Sequence, residues 1–180
     1  MSIAKELIQA IEVAIRSKSF DDRNSVVRLG KQGSYLFDWK SGEVALKGEL
    51  LQEDSIGVLV NWLELYKDVN AETDSATYLK EAGEAIVARI RYLNEPLRVV
   101  EMDTTTNAIQ IRSEKPLKEE GHISYFEMIL KTGKWFGYRN YISVHRYSQK
   151  PDEEPSREVV AFPVTKLQFE KLLNDLIEIL

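Results

Sequence analysis

Three short segments in which apolar and polar residues alternate lie close together near the N-terminus: SVVRL (25–29), SYLFDW (34–39) and EVALK (43–47), separated by GKQG and KSG. Five more follow in the second half: LRVVEM (97–102), AIQIR (108–112), HISYFEMILK (122–131), YRNYISVHRY (138–147) and REVVAFPV (157–164). Their connectors, DTTTN, KPLKEEG, KTGKWFG and KPDEEPS, have turn-like compositions. Parallel neighbours need a crossover of a dozen or more residues, usually a helix, so strands joined this closely run antiparallel. Within the second segment Tyr35, Phe37 and Trp39 share one face, and Leu36 and Asp38 the other.

Helical spacing surrounds these strands. Ile3, Leu7, Ile8, Ile11 and Ile15 form a stripe behind a cap at Ser2. Ile56, Leu59, Val60 and Leu63 suggest a helix over 53–67, capped by Asp54 or Ser55. A second helix runs from about Ser75 with Leu79, Ala82, Ile86, Ile90 and Leu93 inward, ending before Pro96. At the C-terminus Thr165 and Gln168 make a T-x-x-Q capping box ahead of Phe169, Leu172, Leu173, Leu176 and Leu180. The order is helix, three strands, two helices, five strands, helix. It predicts an α+β fold of antiparallel meandering sheets with helices packed against them. At 180 residues the chain reads as one domain, 1–180, with a helical insertion at about 71–95.

Composition excludes several functions. No apolar run is long enough to span a membrane, and the N-terminus lacks the cleavage pattern of a signal peptide, so a cytoplasmic protein is expected. Zero cysteines rule out disulfides, a thiolate nucleophile and thiolate-ligated metals. His122 and His145 fall on different strands without a close-spaced carboxylate, so no metal site is expected. GKQG (30–33) is a turn between strands, without the following helix that a phosphate loop needs. No motif implies a cofactor, and nothing supplies general acid–base chemistry at neutral pH. The expectation is not an enzyme.

Charge is distributed unevenly. The whole chain carries −5, yet residues 97–150 hold nine Lys or Arg against six Asp or Glu, net +3, and residues 50–96 hold four against nine, net −5. Within 131–150, Trp135, Phe136, Tyr138, Tyr141 and Tyr147 stand among Lys131, Lys134, Arg139, His145, Arg146 and Lys150 without an acid. Single strands of nucleic acid are held by rings that stack bases and by cations that follow the backbone. Alternation places Arg139, Tyr141, His145 and Tyr147 on one side, with Lys134 and Trp135 reaching in from the turn. A smaller set around the first strands comprises Arg28, Lys31, Tyr35, Phe37, Trp39, Lys40 and Lys47. Equally, one face of each strand has to be core, which absorbs some of these rings.

Two stretches carry a resemblance. In YLFDWKSGEVALKGELLQEDSIGVLVNWL (35–63), Asp38–Trp39, Lys40, Val44–Leu46 and Ile56–Gly57 follow in the order of the Whirly pattern. In VVAFPVTKLQFEKLLNDLI (159–177), Pro163, Val164, Thr165, Lys166 and Phe169 match that family's last strand and helix. The chain thus resembles the Whirly family, of the single-stranded-DNA-binding transcriptional-regulator fold, as a distant, bacterial-type relative. The resemblance implies two antiparallel sheets packed together, helices forming core and oligomer interface, and sheets that bind single-stranded DNA. The family's Lys-Gly-Lys-Ala-Ala-Leu signature is missing, and ALKGEL (45–50) is only an echo of it. Two expectations therefore stand side by side. One is a weak or non-sequence-specific module for single-stranded DNA or RNA, forming a homo-oligomer. The other is a protein-interaction or assembly factor that keeps the fold without the ligand.

Overall fold

The computed structural model describes residues 2–20, 26–68, 74–135, 137–151 and 157–180. Helix α1 (Ile3–Ser17) is followed by strands β1 (Val27–Leu29), β2 (Tyr35–Ser41), β3 (Val44–Glu53) and β4 (Gly57–Lys67), then helix α2 (Ser75–Arg89). The second half holds β5 (Leu97–Asp103), β6 (Ala108–Ser113), β7 (Leu117–Glu119), β8 (His122–Trp135), β9 (Tyr138–Gln149), β10 (Glu158–Val159) and β11 (Phe162–Thr165), and closes with α3 (Lys166–Ile179). The architecture is α+β, with every strand pairing antiparallel. The main path across the sheet runs β1-β2-β3-β4-β9-β8-β6-β5. Because β4 pairs with β9, the two halves share one continuous sheet and do not form two sheets stacked face to face.

The helix expected over 53–67 is a strand. The cause is a bulge: between β3 and β4 the register jumps at Leu50 and Gln52, leaving Leu51 and Asn61 without opposite partners. The core residues of β4 are therefore Val58, Val60, Leu63 and Leu65, a 2-3-2 spacing that mimics a helical stripe. Tertiary pairing on both edges decides the matter. Ile56, assigned inward by the helical reading, is 74 % exposed in the β3–β4 turn. There the Asp54 carboxylate accepts from the Ile56 and Gly57 amides.

Other local expectations hold. The Ser2 hydroxyl accepts from the Lys5 amide at the start of α1. α2 begins after Asp74, whose carboxylate accepts from Ala76 and Thr77. The Thr165–Gln168 capping box forms with both bonds, Gln168 N to Thr165 Oγ1 at 3.1 Å and Thr165 N to Gln168 Oε1 at 2.9 Å. Leu172, Leu173 and Leu176 are fully buried. Strand β7 lies in what the sequence offered as a connector, and the last strand segment is split into β10 and β11. These two occupy the place where β4 and β9 part: β10 follows the end of β9, and β11 follows the start of β4.

All the described helices pack on one face of the sheet. α1 meets β1 and β2, α3 meets β4, and α2 meets β5, β6 and β8. Beneath them lie Phe37, Leu46, Leu50, Leu63, Leu65, Ile109, Ile111, Met128, Leu130, Ile142 and Val144 in a single apolar cluster. Lys166 joins three elements, donating from Nζ to Glu12 and Glu53 at 2.6 Å each. The other face of the sheet has no described helix on it.

Candidate nucleic-acid interface

Strand register assigns the residues of that open face. One cross-strand row reads Lys40, Ala45, Tyr66, Tyr141, Lys131, Ala108. The next reads Asp38, Lys47, Glu64, Ser143, Ile129, Gln110. A third reads Leu36, Glu49, Trp62, His145, Glu127, Arg112, Arg98. Tyr147 stands opposite Tyr125 beyond it.

The rings and charges of this face are knit together. Tyr66 lies 5.0 Å from Tyr141 and 5.8 Å from Tyr138, centroid to centroid. Both phenols, of Tyr66 and Tyr141, donate to Glu64, at 2.7 and 3.1 Å. Lys40 sits 5.4 Å over the Tyr138 ring, and Lys47 pairs with Asp38 at 3.3 Å. Toward β6, the buried Glu127 carboxylate accepts from Arg112 Nε at 2.7 Å, Gln110 Nε2 at 2.8 Å and Arg157 Nη1 at 3.0 Å. The Arg157 guanidinium lies 4.2 Å over the Tyr147 ring, whose neighbour His145 stacks at 5.7 Å. Glu49 accepts from Ser34, from Asn61 at 2.7 Å and from the Trp62 indole at 3.2 Å.

These contacts explain the electrostatics. Burial pushes the Tyr141 phenol up to about 12, with Glu64 adding to the shift and the Ser143 hydroxyl opposing it. Burial also drives the Tyr66 phenol well above its ordinary range, reinforced by Glu64. Burial lowers His145, against the pull of Glu64 and Glu127 and with help from Arg157. For Glu49 burial acts upward, yet the donors from Ser34, Asn61 and Trp62 outweigh it and hold the carboxyl below its ordinary value.

The sequence-derived residues divide between the faces. Tyr141, His145 and Tyr147 stand on the open face, all half-buried, together with exposed Lys40 and Arg28. Tyr35 and Trp39 turn to the helices and pack on the core, Tyr35 against Phe20 at 5.9 Å. The Trp39 indole N–H has no hydrogen-bond partner among the described residues. Lys31 is exposed in the short turn before β2, and Arg139 is half-buried near the start of β9. Lys134 and Trp135 belong to β8, but their side chains lie outside the described residues, as does Phe136. Arg146 points to the helix face and is held in a buried ion pair with Glu95.

Sequence reasoning missed Trp62, Glu64 and Tyr66 because it placed them on a helix. It also missed Tyr125, Glu127, Arg112, Arg98 and Arg157, although the period-two pattern of 122–131 already put Tyr125 and Glu127 on one side. Among the described residues no group of three His, Asp or Glu side chains converges as metal ligands. No described helix is long and apolar enough to cross a membrane. No family model, curated protein or solved structure matches the chain.

Proposed function

We propose that this chain is a non-catalytic module that binds single-stranded nucleic acid, weakly or without sequence preference, on the open face of its sheet. One observation carries the reading. A face free of described helices presents half-buried Trp62, Tyr138, Tyr141, His145 and Tyr147 beside Lys40, Lys131, Arg98, Arg112 and Arg157. Rings that meet bases and cations that meet phosphates are the two elements such a surface requires. The Whirly resemblance of Asp38–Trp39, Lys40 and Val44–Leu46, and of Pro163, Val164, Thr165 and Lys166, supports the same reading and brings with it a homo-oligomer. A labelled dT oligonucleotide followed by fluorescence anisotropy at two salt concentrations tests it. Binding at low salt is expected, with Tyr141→Ala losing about 1–3 kcal/mol of affinity, largely independent of salt. No binding by the parent protein ends the reading.

A second reading, an assembly factor that docks a protein, has its own observation. Edge strand β5 exposes Val99, Val100 and Met102, an apolar rim next to α2. The two separate on the oligonucleotide: a salt-dependent complex favours the first, and its absence leaves the second.

A further inference from the structure

The cations of the open face are unevenly matched. Near β2 and β3 Lys47 is paired with Asp38 and has Glu64 in the same row, whereas Lys40 lies over the Tyr138 ring. At the β5–β6 end, Arg112 and Arg157 share the single carboxylate of Glu127. Arg98 stands directly opposite Arg112 across the β5–β6 ladder, and among the described residues no carboxylate pairs with it. Like charges directly opposite each other on a sheet repel, so this arrangement asks for an anion. Glu101, on the same face further along β5, and Glu95, which is paired with Arg146, are each three residues from Arg98 in sequence.

The geometry is suited to a particular anion. Each guanidinium carries five N–H donors. Arg112 commits its Nε and Nη2 to Glu127, which leaves Nη1 for a ligand. Arg157 is fixed by Glu127 and by its stacking on Tyr147, yet its side chain remains 42 % exposed. Glu127, itself buried, is a positioning residue that locks two forks in place before any ligand arrives. Fixed guanidinium forks match the oxygens of a phosphate group in a way that a mobile lysine does not.

We propose that Arg112 and Arg157, both held on Glu127, together with Arg98 opposite Arg112, form the seat for a backbone phosphate of the bound strand. This inference rests on the nucleic-acid reading above and names where the backbone is held. The strand then crosses the sheet from the arginine end past His145 toward Tyr141.

The test uses the full chain and a labelled dT oligonucleotide over a series of salt concentrations. Arg98→Gln and Arg157→Gln are each expected to weaken binding and reduce the slope of log affinity against log salt by about 0.7, the share of one phosphate contact on a single strand. Lys80→Gln, exposed on α2 behind the sheet, should leave the slope unchanged. A parent protein that binds, with both arginine variants keeping the parental slope, overturns the seat and leaves the nucleic-acid reading intact. If the parent binds no oligonucleotide, inorganic pyrophosphate is titrated instead while the arginine Nε–H resonances are followed by NMR. Saturable shifts lost in Arg157→Gln would keep the seat as a site for a free phosphate compound and overturn the strand as its occupant. No shifts would overturn the seat altogether.

Discussion

Gly48 makes one quantitative demand on the fold. It lies in β3 opposite Phe37 on one side and Leu63 on the other, on the helix face, and the Phe37 ring covers it. A Cβ at this position would collide with Phe37 Cζ and lie 2.8 Å from the Trp62 carbonyl oxygen. Phe37 is buried in the core and the carbonyl is backbone, so neither yields cheaply. Overpacking of this kind costs about 1–3 kcal/mol. Against it stands a gain of about 0.4–1 kcal/mol, because alanine restricts the unfolded chain. Gly48→Ala should therefore destabilise by about 1–2 kcal/mol. At this chain length that is a fall in Tm of about 2–8 °C. Urea unfolding should show a lower midpoint at unchanged slope. Phe37→Leu removes the colliding atoms, so the double variant should lose less than the sum of the singles. A Gly48→Ala protein as stable as the parent, or a strictly additive double variant, would refute the account. The consequence reaches the other face, because the β2–β3–β4 register that Gly48 permits also sets the row Asp38, Lys47, Glu64.

Thr165→Ala should lose about 1 kcal/mol in the same urea assay, since it removes the side-chain cap of α3; an unchanged midpoint would mean the cap contributes nothing. His145 gives a pH dependence whose sign follows from its environment. Burial lowers its folded-state value below the ordinary 6.5, so the unfolded chain binds the proton more readily. Its contribution is fully present above about pH 6.5 and is lost as pH falls below that toward the lowered value. His145→Gln should flatten the stability profile in that window, and a profile unchanged by the substitution would refute the assignment.

The parts of this fold legible in the sequence are those that depend on local chemistry. The capping box, the Ser2 cap and most antiparallel strands follow from turn residues and period-two alternation. What misled was β4, where the bulge at Asn61 shifts the alternation by one and produces a helical spacing. That single misreading removed Trp62, Glu64 and Tyr66 from view. The face of Tyr35 and Trp39 was read correctly as shared, but which face the helices would cover depends on long-range packing, and both rings went to the core. Arg157 was out of reach for a related reason. It lies just before β10, and only the β9–β10 pairing brings its guanidinium onto Tyr147.

If the open face holds a single strand as proposed, the same packing that makes that face also limits the binding. A base stacks on a ring only where a ring face is free, and several here are already covered. Tyr147 has Arg157 over it and His145 stacked beside it, Tyr138 lies under Lys40, and the phenols of Tyr66 and Tyr141 are tied to Glu64. Stacking would first displace one of these partners, so each base gains less than a free platform would give. Asp38 and Glu64, in the row beside that of Lys40 and Lys131, dilute the field of the lysines. The arginine end is the exception, because Arg112 and Arg157 there share one buried carboxylate and Arg98 stands opposite Arg112. Affinity should then come chiefly from phosphate contact and fall steeply with salt, and the loss from Tyr141→Ala should sit near 1 kcal/mol, at the low end of the stacking range. A loss near 3 kcal/mol with a shallow salt dependence would show instead that the rings repack on binding and that stacking dominates.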